Sequence, residues 1–119
     1  MTEIDAKDLD FEVIEALRAL GGEDDPDLLH ELIETYLEDA PRHLEDMRLA
    51  LAEGDQELMR RSAHTLKSSS ANLGGARLSA VCRAMESAAR TPDVEEYGRL
   101  IQTCLGAYAD LERELRQLS

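Results

Sequence analysis

The stretch that decides the fold is RRSAHTLKSSSANLGGARLSAVCRAMESAAR, residues 60–90. Apolar side chains recur in it every three or four positions, before and after the glycine pair at 74–75. This spacing is typical of amphipathic helices, and glycine readily ends a helix. The stretch therefore predicts two helices joined by a tight turn. One begins after its N-cap Asp55 and ends near Leu73, and the next ends near Arg90.

Three further helices are predicted outside this stretch, because the same spacing continues on both sides. Their bounds are about Leu9–Leu20, Pro26–Gly54 and Pro92–Leu118. Proline suits the first helical turn, where its missing N–H would have no partner, and Asp25 and Thr91 precede two of the prolines as N-caps. Pro41 falls inside the second of these helices and is expected to kink or split it.

The fold class that follows is all-α, since no segment alternates with period two for long enough to form a strand. Short loops make consecutive helices antiparallel neighbours. We predict an antiparallel up-down four-helix bundle over about residues 26–118, with the first helix as a short N-terminal cap and residues 1–8 as a short acidic segment. A chain of 119 residues is expected to form one domain, residues 1–119.

Acidic residues dominate the composition, with 26 Asp and Glu against 13 Lys and Arg and a formal net charge of −13. Nucleic acid and anionic membranes attract basic proteins, so neither is an expected partner. No apolar run is long enough to span a bilayer or to serve as a secretory signal. Cys82 and Cys104 form no CxxC pair and fall on apolar stripes, which predicts buried, inert thiols in a cytoplasmic protein. A monomer is expected, because no large exposed apolar stripe is evident.

Residues 60–90 form a basic island, with six Lys and Arg and a single acid, Glu86. The apolar side of the helix that begins after Asp55 is predicted from a rotation of about 100° per residue to comprise Leu58, Ser62, Thr65, Leu66, Ser69 and Leu73. His64 then faces solvent. Its predicted neighbours are basic or small and offer a surface on which a second protein can dock: Arg60, Ala63, Lys67, Ser68 and Ala71.

An exposed imidazole beside an ammonium suits nucleophilic chemistry on a phosphoryl group. Neutral imidazole is a good nucleophile near pH 7, and Lys67 could offset the charge of a phosphoryl group on His64. One ring nitrogen must keep its proton while the other attacks, and Glu86 is the natural carboxylate to hold that tautomer.

The segment from Ala63 to Arg90 resembles the signature of histidine phosphotransfer (HPt) domains. The matching residues are Ala63, His64, Leu66, Lys67, Ser69, Ser70, Asn72, Gly74, Leu78, Cys82, Met85 and Glu86. The resemblance implies a four-helix bundle in which His64 accepts the phosphoryl group, Lys67 assists, and Glu86 occupies a position where the family often has Gln or Glu. The family usually has Gly where this chain has Ser68, whose hydroxyl is small and could hydrogen-bond the phosphoryl group.

The same resemblance implies a relay between the aspartates of response-regulator receiver domains, with a hybrid histidine kinase as a further candidate partner. The chain would be a phosphoryl carrier rather than an enzyme, since it has no Gly-rich phosphate loop for ATP. No cofactor of its own is expected, because Mg²⁺ would belong to the receiver.

Two alternatives stay open from the sequence. The chain could be a non-catalytic acidic helical interaction module, or the phosphoacceptor domain of a chemotaxis-type histidine kinase cut from a longer chain, although Met1 favours a complete small protein. No metal site is expected: Asp27 and His30 form a D-x-x-H pair, but the chain lacks the Glu-x-x-His motifs of di-iron bundles, and His30 and His43 are predicted at the surface.

Overall fold

The computed structural model describes residues 7–88 and 93–118, and all regular structure within those ranges is helical. The five helices are α1 (Phe11–Gly21), α2 (Leu28–Glu53), α3 (Gln56–Asn72), α4 (Ala76–Ala88) and α5 (Val94–Leu118). The all-α prediction is therefore confirmed, and α1 lies within a residue or two of its predicted bounds.

Helices α2 to α5 close into a ring in which each helix packs against its neighbours in the chain and α5 returns to α2. Helix α1 packs against α2 outside this ring. The arrangement confirms an up-down four-helix bundle with a short N-terminal capping helix. One buried apolar cluster holds the helices together, and its fully buried side chains include Ile14, Ile33, Met47, Leu66, Leu78, Met85, Leu111 and Leu115. Burial of each such side chain contributes about 1.5–3 kcal/mol.

Aspartates begin three of the helices by accepting backbone hydrogen bonds that the first turn cannot otherwise satisfy. Asp10 accepts from the amide of Glu12 and Asp55 accepts from that of Leu58, both at 3.0 Å. Asp55 is therefore the N-cap that the sequence predicts for α3. Asp93 accepts from the amides of Glu95 and Glu96 in the first turn of α5. The predicted helix ends at Arg90, Thr91 and Pro92 lie outside the described residues, as does most of the acidic segment 1–8.

The predicted start of α2 needs correction, and the split that was one of the two outcomes expected at Pro41 does not occur. Asp25 is not its N-cap, because Pro26 lies in a turn closed by backbone hydrogen bonds on both sides, and α2 begins only at Leu28, after Asp27. Pro41 does not split α2, which is one continuous helix. Pro41 itself is exposed, and its ring removes only the N–H that would otherwise donate to the Leu37 carbonyl.

The chain before α1 crosses the turn between α3 and α4 and ties it to the rest of the bundle. The Asp10 amide donates to the Gly74 carbonyl at 2.7 Å, and the Arg77 amide donates to the Lys7 carbonyl at 2.8 Å. The Arg77 guanidinium also contacts Asp8 and Asp110 of α5, each at 3.2 Å. These contacts hold the ends of α3 and α4 and so set the register of the two helices that carry the site.

Candidate functional site

The buried side of α3 differs from the one predicted. It comprises Met59, Ser62, Ala63, Leu66 and Ser70, whereas Thr65 is exposed and Leu58 and Ser69 are half-buried. The buried side differs because α3 packs against both α2 and α4. In addition, the Ser70 hydroxyl lies 2.7 Å from the Tyr36 hydroxyl of α2. That pair satisfies two buried polar groups. The prediction that Ala63 belongs to the docking surface is wrong, since its side chain is fully buried.

His64 lies on the outer side of α3, as its predicted orientation requires, with 56% of its side chain exposed. Its Nδ1 atom is 2.9 Å from Oε2 of Glu86 on α4. An ionised carboxylate can only accept hydrogen bonds, so Nδ1 carries the proton and donates it. In the neutral form of the ring, Nε2 then has a free lone pair, and no described residue hydrogen-bonds Nε2.

Lys67 lies one turn further along α3 and reaches the same carboxylate. Its Nζ atom donates to Oε1 of Glu86 at 2.7 Å, so the two oxygens of Glu86 take one partner each. The lysine side chain is only 26% exposed, which differs from the predicted solvent-facing position because the contact draws it toward α4. The hydrogen bonds from Lys67 and His64 lower the pKa of Glu86 against the opposing effect of partial burial, which keeps this carboxylate ionised at neutral pH.

Two serines with no predicted structural role tie α3 to its neighbours. The Ser79 hydroxyl of α4 donates to the Lys67 carbonyl of α3 at 3.0 Å, which ties the two helices together about two turns before Glu86. Ser70 ties α3 to α2 through Tyr36. The sequence does contain a signal for Ser70. It follows Leu66 by four residues, so helical periodicity places its hydroxyl on the same buried side as Leu66.

The remaining predicted docking residues surround the exposed ring. Arg60, Ser68 and Ala71 are all exposed, at three- and four-residue spacings that place them on the side of α3 occupied by His64. Arg60 forms an ion pair with Glu57 one turn earlier, so part of its charge is already offset. Beyond Ala71, a cleft of about 400 Å³ opens toward the start of α1. The face around His64 thus combines small side chains with positive charge.

Other candidate chemistry is not assembled in the described parts of the chain. There, no three His, Cys, Asp or Glu side chains lie close enough to hold a metal ion. Cys82 and Cys104 are buried free thiols, and the neighbouring Cys104 thiol together with burial raises the pKa of Cys82. None of the described helices is long and apolar enough to cross a membrane.

Comparisons with known proteins agree with this geometry. A family model described as the Hpt domain matches residues 31–119. The structure of histidine-containing phosphotransfer protein B of Pseudomonas aeruginosa is similar over 95% of each chain, with 26% identity and a TM-score of 0.84. A histidine-containing phosphotransfer protein of Medicago truncatula is similar over 93% of this chain and 76% of its own, with 27% identity and a TM-score of 0.82. Among curated protein sequences, none matches significantly. The match over most of the chain confirms the resemblance of its motif: this protein belongs to the Hpt domain family, whose role is histidine phosphotransfer in phosphorelays.

Proposed function

We propose that this chain carries phosphoryl groups between the aspartates of response-regulator receiver domains, with His64 as the phosphoacceptor. The observation that carries the proposal is an exposed imidazole whose Nδ1 is bound to a carboxylate and whose Nε2 is left for attack. Orientation of a reactive imidazole by a carboxylate on its other nitrogen fixes which ring nitrogen is available to react.

The transfer needs no proton movement within the chain. The Nε2 lone pair attacks the phosphorus of an aspartyl phosphate, the N–P bond forms, and the O–P bond breaks with its electron pair returning to the aspartate. The proton on Nδ1 stays there and donates to Glu86. The reverse sequence of bond changes passes the group to a second receiver. Phosphoryl transfer of this kind depends on positioning and on charge stabilisation, which the docked pair supplies together.

In this proposal the chain is a carrier without its own ATP site, and Mg²⁺ belongs to the receiver. The described contacts of His64 support that division, because the one carboxylate that contacts the ring also binds Lys67, whereas Mg²⁺ requires several oxygen ligands. We also propose that the carrier acts as a monomer in the cytoplasm, where free thiols such as Cys82 and Cys104 stay reduced.

A transfer experiment separates this function from a non-catalytic interaction module. The protein is mixed with receiver domains that carry a labelled aspartyl phosphate, and the label on each partner is followed over time. We expect the label to move to this chain and to show the acid lability of phosphohistidine. Binding without transfer from any receiver would favour the interaction module, and labelling only by a kinase core with ATP would favour the chemotaxis-type alternative.

Removal of the Lys67 charge is expected to slow transfer of the phosphoryl group from a receiver domain to His64. Preorganised cations stabilise the charge that develops on a transferring phosphoryl group, and Lys67→Met should lower the transfer rate by about ten- to hundredfold. The control is Arg48→Met, which removes an exposed cation from α2 away from His64. A stopped-flow or quenched-flow transfer assay checks the rate, and equal rates for both variants would contradict the role of Lys67.

Ser68 tests whether the face around His64 is the docking surface. Ser68→Tyr should lower transfer from a receiver by at least about tenfold because a large side chain one turn from the ring blocks close approach, while Ser68→Gly should keep transfer at a cost of about 0.5 kcal/mol in helix stability. Labelling of Ser68→Tyr by phosphoramidate, a small donor that needs no docking, should stay unchanged. Gln102→Tyr, on the exposed side of α5, is the control. Unimpaired receiver transfer to Ser68→Tyr would place the docking surface elsewhere.

A further inference from the structure

Glu86 is the one described carboxylate that contacts either functional side chain on α3, and it contacts both. Its Oε2 accepts from His64 and its Oε1 accepts from Lys67, and only 23% of its side chain is exposed. Partial burial strengthens both contacts relative to an exposed ion pair. A change of charge on the His64 imidazole therefore changes its interaction with the Glu86 carboxylate, which also binds the Lys67 ammonium.

Phosphorylation changes the charge on that ring. Attack by Nε2 leaves the proton on Nδ1, so the product is an N-phosphoimidazolium in which the ring is positively charged. An ionised acceptor 2.9 Å away favours this protonated form, because hydrogen bonds between charged partners are the strong ones. When the N–P bond breaks, a protonated ring departs as neutral imidazole. A ring that had lost the proton would have to depart as an imidazolate anion, which is a far poorer leaving group.

The contact between Glu86 and Lys67 also favours loss of the phosphoryl group from His64. A phosphoryl group on Nε2 would attract the Lys67 ammonium, but Glu86 already binds that ammonium at 2.7 Å. Lys67 must therefore be shared between a carboxylate and the phosphoryl oxygens. Incomplete neutralisation leaves the phosphorylated state less stable than it would be beside an unshared lysine.

On the basis of the proposed function, we infer that Glu86 is a positioning residue that keeps the phosphoryl group of phospho-His64 transferable, by retaining the proton on Nδ1 and by restraining Lys67. A neutral amide at this position would bind the Nδ1 proton less strongly and would release the lysine. The expected result of Glu86→Gln is thus a phosphohistidine that persists, rather than a histidine that cannot be phosphorylated.

The experiment phosphorylates the wild-type chain and Glu86→Gln with phosphoramidate, so that no receiver is needed. Nitrogen-15 NMR then reports whether Nδ1 of phospho-His64 carries a proton at slightly alkaline pH, and phosphorus-31 NMR follows loss of the phosphoryl group. We expect a protonated Nδ1 in the wild type and a largely unprotonated one in Glu86→Gln, with loss of the phosphoryl group slowed by about tenfold. Glu45→Gln is the control, because it removes a negative charge from α2 at a carboxylate that binds Arg48 instead.

A Lys67→Met background tests the contribution of the contact between Glu86 and Lys67. If restraint of Lys67 contributes, Glu86→Gln should slow phosphoryl loss less in a Lys67→Met background than in the wild type. An unprotonated Nδ1 in wild-type phospho-His64, or equal phosphoryl loss from the wild type and Glu86→Gln, would overturn the inference. Failure of the proposed function gives a different result. In that case His64 accepts a phosphoryl group from phosphoramidate but from no receiver domain.

Discussion

Replacement of His64 by glutamine should abolish phosphoryl labelling while the bundle stays folded. The imidazole is the nucleophile of the proposed transfer, and an amide cannot replace it. More than half of the side chain is exposed, and Glu86 is its hydrogen-bond partner among the described residues. Glutamine is also a good helix former, so the free energy of unfolding should change by no more than about 0.5 kcal/mol. Labelling by a phosphorylated receiver and the helical circular dichroism signal are the two measurements.

The matched control is His30→Gln, which removes an exposed histidine from α2. This variant should label like the wild type, because no described contact links His30 to the site. Label that persists in His64→Gln, or label that disappears in His30→Gln, would assign the phosphoacceptor to another residue.

The second large effect is expected on stability, at the turn between α3 and α4. Gly74 has φ +81°, and a Cβ atom there would lie 2.7 Å from the Asp10 backbone oxygen. Gly74→Ala combines a left-handed conformation with a backbone clash that no rotamer change relieves, so it should lower the free energy of unfolding by about 2–4 kcal/mol. Denaturant unfolding measures this value, with the helical signal as readout.

The control for this change is Gly106→Ala in α5, where an added Cβ meets no atom within 4 Å. Alanine in an exposed helix interior should raise the free energy of unfolding by about 0.5–1 kcal/mol. The two Gly-to-Ala changes should therefore have opposite signs. If Gly74→Ala unfolded at the wild-type denaturant concentration, the close approach of the chain before α1 to the turn would be refuted.

Local patterns were sufficient to predict the architecture and the exposed histidine. The apolar spacing around the glycine pair at 74–75 predicts α3 and α4, and the Asp55 cap is where the sequence places it. Helical periodicity also turns His64 outward, since a residue's direction on a helix depends mainly on its position in the sequence. The motif from Ala63 to Glu86 was specific enough to indicate the family that the comparisons then confirm.

Only the tertiary structure decided how the site is assembled. The sequence of α3 alone does not determine which side of the helix packs against α4. The observed buried side includes Ala63 and Ser70 and excludes Thr65, unlike the predicted one. The distance from Glu86 to both His64 and Lys67 depends on the register of two helices, which is set by the turn at Gly74 and by the contacts of Arg77. Periodicity within a helix is a local property of the chain, whereas the meeting of two helices is settled by packing across the whole bundle.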